Sequence, residues 1–130
     1  MDADRLKTIP LFQGLSKSQR ERVSTWADEV DLEPGKHLVE QGQFAYEFFV
    51  IEEGAAEVTV DGDRVDALGP GDFFGEIALL ETERRTASVV TTEPLRCIVM
   101  HARHFSSMEQ TMPQVAEQIR QEMRRRLGNR

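Results

Sequence analysis

Two periods divide the chain. Near both ends apolar residues recur at helical spacing, and between them they alternate or gather into short unbroken runs. Asp4 to Thr8 predicts a short helix that stops near Pro10, and Leu11 to Leu15 a tight apolar connector. Ser16 then opens a second helix, with Gln19 three residues on to complete a capping box. Leu15, Val23, Trp26 and Ala27 share its apolar face, so Trp26 is expected to anchor that helix on a core.

Beyond Ala27 the period falls to two. Val30 and Leu32 alternate with charged residues and predict a strand. Further strands are expected at 37–40, 47–52, 55–60, 64–68, 85–92 and 95–100, and the turns between them carry their own chemistry. Glu33-Pro34-Gly35-Lys36 turns, Asp61-Gly62 is a hairpin signal, and Gly69-Pro70-Gly71-Asp72 breaks sharply. A single helical turn fits Gly75 to Leu80. Helical spacing returns at Arg103 to Gln110 and Pro113 to Leu127, where Val115, Ala116, Ile119, Met123 and Leu127 form a stripe. Short strands at roughly ten-residue spacing predict an antiparallel sandwich or barrel. The expected class is therefore mainly β with flanking helices.

Composition narrows the reading. A chain of 130 residues suits one domain, and none of it reads as repeat, low-complexity segment or linker. The expected division is a helical segment over 4–27, a β-barrel over 28–101 and helices over 102–127. The formal net charge of −7 argues against nucleic acid or an anionic membrane as partner, since both favour a basic surface. Five arginines between Arg120 and Arg130 run against that balance and read as a solvated helix end. Cys97 is the only cysteine and lies in an apolar run, so it is expected as a buried structural thiol. No signal peptide or apolar span of about 20 residues is found, which predicts a cytoplasmic protein.

The candidate chemistry lies in Phe73-Phe74-Gly75-Glu76-Ile77-Ala78-Leu79-Leu80 and in Arg84-Arg85-Thr86-Ala87-Ser88. Gly75 permits close backbone approach to a ligand. The helix start that follows offers unpaired N–H groups and partial positive charge, which suit an anion. Arg85 adds a permanent cation with a fork of donors. Glu76 adds a carboxylate. Together they read as a pocket for a small phosphate that also carries hydroxyls.

Several stretches then carry a resemblance: Ile9-Pro10-Leu11-Phe12, Leu15-Ser16, Gly35, Glu40-Gln41-Gly42, Phe48 to Gly54, Gly69 and Gly71, Phe74 to Leu80, and Arg85-Thr86-Ala87. In their order and spacing the chain resembles the cyclic nucleotide-binding domain family. That family includes cAMP-responsive bacterial regulators, kinase regulatory subunits and cyclic-nucleotide-gated channels. The resemblance implies a jelly-roll barrel with a phosphate-binding cassette over 74–87. It implies that Gly75 meets the ribose, Glu76 accepts from the ribose 2′-hydroxyl, and the amides of Ile77 and Ala78 face the cyclic phosphate. Arg85 would pair with the phosphate, Thr86 could reach it or a guanine base, and Ala87 would leave room while its amide helps. Ile119 and Met123 are the candidate base-capping residues on a terminal helix that repositions with ligand. The implied ligand is cAMP, with cGMP kept open at Thr86, and no cofactor is implied. The implied partner is a protein or an effector domain outside these residues.

Two other classes stand beside this one. One is an interaction domain of the same fold without nucleotide. The other is a cupin-like metalloenzyme, for which His37, His101 and His104 do not form the needed inward cluster. No nucleophile–base arrangement supports catalysis, so a non-enzyme is expected. The terminal helix stripe leaves a homodimer open, although about four turns is short for a coiled coil.

Overall fold

The run Phe48-Phe49-Val50-Ile51 explains much of the architecture, because all four side chains are buried. A strand buries consecutive residues only when both of its faces are covered. In the computed structural model, described for residues 1–42, 47–74 and 87–128 without the side chains of 123 and 126–128, both faces are. Phe48 and Val50 join a cluster with Phe73, Ile98, Met100 and the residues of the helices. Phe49 and Ile51 join a second cluster with Val39, Ala56, Leu68, Phe74, Val89, Leu95 and Cys97.

These clusters follow from two four-stranded antiparallel sheets. The strands are β1 (Asp28–Leu32), β2 (His37–Val39), β3 (Glu47–Glu53), β4 (Ala56–Val60), β5 (Asp63–Leu68), β6 (Phe73–Phe74), β7 (Ser88–Thr91) and β8 (Leu95–His101). One sheet has the order β1-β8-β3-β6 and the other β2-β7-β4-β5. The second cluster draws on both, so it is the filling between them. The expected barrel is thus an open two-sheet jelly roll. β6 was not anticipated as a strand, since two residues are too few to show a period; it pairs Phe74 with Phe49 and Phe73 with Val50.

The first cluster is the seat of the helices. The helix expected near residues 4–8 is a 3₁₀ segment, Ala3–Thr8, and the connector contains a second, Pro10–Phe12. Helix α1 (Lys17–Ser24) begins with the expected capping box: Gln19 N–H donates to Ser16 Oγ at 3.2 Å, and Ser16 N–H to Gln19 Oε1 at 2.8 Å. Trp26 is half-buried at the edge of the same cluster. After β8 come α2 (Ala102–Thr111) and α3 (Pro113–Gly128). Val115, Ala116 and Ile119 of the stripe are buried there; the side chains of Met123 and Leu127 lie outside the described residues. Part of the arginine-rich end is structural. Arg120 Nη2 reaches Glu109 Oε1 at 2.6 Å, and its guanidinium stands 5.0 Å from the Phe105 ring centre, which fastens α3 to α2.

Turns close the frame as the sequence predicts. Thr91, buried in β7, donates through Oγ1 to Glu33 O at 2.7 Å and accepts from Lys36 N–H at 2.8 Å, which fixes the 33–36 turn. At Gly54, between β3 and β4, φ is +95°, and a Cβ would collide with Pro94 O. Cys97 is fully buried, and burial pushes its thiol up to about 12, in keeping with a structural role.

Candidate functional site

The two ends of the 74–87 segment belong to different sheets. Its first residue, Phe74, ends β6 in one sheet, and its last, Ala87, precedes β7 in the other. Phe74 is buried, and its ring stacks on Phe49 with centroids 4.8 Å apart and an interplanar angle of 11°. Pairing and stacking together fix Phe74 against β3. Ala87 is half-buried. Gly75, Glu76, Ile77, Ala78, Arg85 and Thr86 lie outside the described residues, as do the expected helical turn and the start of the expected strand at 85–92.

The exit of the cassette has a support that the sequence did not signal. Ser88 Oγ accepts from Gln41 N–H at 2.9 Å. The Gln41 side chain in turn clasps Asp61, with Nε2 donating to Oδ1 at 3.0 Å and Asp61 N–H donating to Oε1 at 2.9 Å. Asp61 is at φ +53°, a conformation that asparagine and aspartate tolerate better than most residues. The turn after β2, the β4–β5 hairpin and the start of β7 are therefore tied at one place. Gln41-Gly42 is legible in the sequence as a turn, but nothing local points to residues 20 and 47 positions away.

Ile119 sits in α3 with 2% of its surface exposed, within the helical cluster. It also lines a groove of about 510 Å³ with Pro10, Leu11, Leu15, Gln118 and Arg125. In this arrangement α3 packs along the second 3₁₀ segment. Two of the histidines sit together at the start of α2. His101 Nδ1 accepts from Arg103 N–H at 3.1 Å as the cap of α2, and the His104 ring stands edge-on at 6.1 Å. Among the described residues no three His, Cys, Asp or Glu side chains gather as a metal-binding group. No helix among the described residues is long and apolar enough to cross a membrane.

Comparison with known proteins agrees with the jelly roll. The model of the cyclic nucleotide-binding domain matches residues 29–111, well over half of the chain and all of 74–87. This chain belongs to the cyclic nucleotide-binding domain family. Solved structures share the fold. A cyclic nucleotide-binding protein from Geobacter metallireducens GS-15 is 19% identical with a TM-score of 0.84, over 94% of this chain and 92% of that one. The N-terminal domain of a transcriptional regulator from Streptomyces coelicolor A3(2) is 24% identical with a TM-score of 0.78, over 97% and 92%. The cAMP-bound PfPKA-R fragment is 20% identical with a TM-score of 0.81, over 98% of this chain and 43% of that one.

Proposed function

We propose that the chain is a single cytoplasmic sensing domain over residues 1–130. It binds a cyclic nucleotide in the 74–87 cassette, cAMP first and cGMP as the alternative, and acts by regulation rather than catalysis. The observation that carries this reading is the family match over residues 29–111, which spans Gly75, Glu76, Arg85 and Ala87, the residues to which the resemblance gives ligand contacts. The likeness to a cAMP-bound regulatory chain supports it at the level of the fold.

In this reading the two ends of the cassette are held by the stacked Phe49–Phe74 pair and the Gln41–Ser88 contact. Held ends lower the ordering cost of binding. Arg85 neutralises the cyclic phosphate, the amides of Ile77 and Ala78 donate to it, and Glu76 accepts from the ribose hydroxyl. Thr86 is the position where cGMP would find a hydroxyl partner. Ile119 and Met123 cap the base once α3 leaves its seat along the 3₁₀ segment, a population shift driven by better contacts to the liganded state. The output passes to a partner protein or an effector domain outside residues 1–130.

Calorimetry with cAMP and with cGMP tests this directly. Arg85→Leu leaves a desolvated phosphate unpaired and is expected to cost about 2–5 kcal/mol, tens to thousands of fold in Kd. Glu76→Gln should cost less, about 1.5–3 kcal/mol. Neither substitution should change the melting temperature by more than a degree or two. An absence of heat with either nucleotide on the folded wild-type chain would reject the reading in favour of a ligand-free interaction domain.

A further inference from the structure

Strands β1 and β3 lie on either side of β8, and each sends a carboxylate to the first 3₁₀ segment. Arg5 Nε donates to Glu29 Oε2 at 3.0 Å, and Arg5 Nη2 donates to Glu52 Oε2 at 3.4 Å. These two nitrogens form the fork that one carboxylate ordinarily fills with its own two oxygens. Here each prong takes an oxygen from a different residue. One cation therefore holds two acidic groups side by side.

Their surroundings differ. The Glu29 side chain keeps 30% of its surface in solvent and the Glu52 side chain only 8%. Glu52 is the extra residue of a bulge opposite β8, and its Oε1 is buried without a hydrogen-bond partner. An ionised oxygen in that position would be neither solvated nor paired. Among the described residues the other groups around it offer no second cation. On β8, Arg96 is engaged by Asp31 at 2.8 Å, with Glu53 and Glu29 adding to its field, and the Cys97 thiol stays neutral. In the loop before β6, Asp72 Oδ2 accepts from Gly69 N–H. Thr8, Ile9, Pro10, Pro70 and Gly71, beside Glu52 in a cleft of about 210 Å³, carry no titratable side chain.

We propose that Glu29 and Glu52 share one proton beneath Arg5, and that this carboxyl pair fastens the N-terminal segment to the β1-β8-β3-β6 sheet in a pH-dependent way. The proton comes from solvent and converts a pair of anions on one guanidinium into one anion and one donor. The ionisation behaviour agrees. The Glu52 carboxyl is pushed up to about 6, by burial first and by the neighbouring Glu29 second, with Arg5 opposing both. The folded value lies above the ordinary carboxylate value of 4.5, so the folded chain holds the proton more tightly than the unfolded chain. The stability that it contributes is complete below pH 4.5 and is lost as pH rises through about 6.

Carbon-13 NMR titration of the glutamate carboxyl groups, together with melting curves from pH 4.5 to 7.5, tests the pair on the full chain. One carboxyl is expected to titrate near pH 6 and to vanish from the spectrum of Glu52→Gln. Glu29→Gln should move that midpoint down, and Arg5→Gln should move it up. The difference in melting temperature between wild type and Glu52→Gln should change across pH 4.5–6.5 and be flat above it. The proposal fails if every glutamate titrates below pH 5, or if the midpoint ignores both Glu29→Gln and Arg5→Gln. Those two variants keep the test decisive even if Glu52→Gln does not fold.

Discussion

The two sheets do different work, and their residue patterns differ accordingly. The β1-β8-β3-β6 sheet is covered on both faces at its centre, by helices on one side and by its partner sheet on the other. Its strands β3 and β8 carry near-continuous apolar runs, with seven residues each and most of them buried. The β2-β7-β4-β5 sheet is covered on one face. In β4 only Ala56 is fully buried, and in β5 only Leu68. The comparison teaches that an unbroken run marks the strand that connects two cores, whereas an alternating run marks a wall. In this protein the connecting sheet is also the one that seats the terminal helix.

Substitutions can break or sharpen this contrast. Phe48→Ala, on the helix-facing side of β3, removes a ring packed at 5.8 Å from Phe73 and is expected to cost about 3–5 kcal/mol in chemical denaturation. The equivalent truncation in the wall, Val58→Ala, should cost about 1 kcal/mol because that side chain is only half-buried. Equal losses would mean that the two sheets are loaded alike. At the passage between the sheets, Gly54→Ala combines a positive φ with a clash against Pro94 and Leu95, and should cost about 2 kcal/mol or more. The smallest effect is expected at the wall's outer edge. Val65 is 59% exposed and is the extra residue of a bulge opposite β4, a feature that blunts an edge strand against pairing. Val65→Ser should change stability by less than about 0.5 kcal/mol, and a melting curve that moves more would reveal a packing role.

Much of this was legible in the sequence for a local reason. The capping box at Ser16, the turns at Gly35 and Gly62, and the spacing of the Phe74–Ala87 motif each depend on residues a few positions apart. Strand ends agreed to within one or two residues in most cases, because turn residues punctuate them. β6 escaped notice because two residues have no period, and it exists only because β3 stands ready to pair with it. The Gln41–Asp61–Ser88 tie escaped for another reason: polar turn residues look alike until the fold brings particular ones together.

The sequence by itself determined most of the element types, their order and the family, since these rest on local period, turn chemistry and motif spacing. Only the tertiary structure decided which strands are neighbours and what each outward-facing polar residue meets. β1 pairs with β8 across more than sixty residues of chain, and that pairing is what sets Glu29 near Glu52 and both beneath Arg5. In the sequence Glu52-Glu53 is an ordinary charged end to a strand. Folding buries the first of the two against a second carboxylate, and electrostatics then depends on distances that no local pattern encodes.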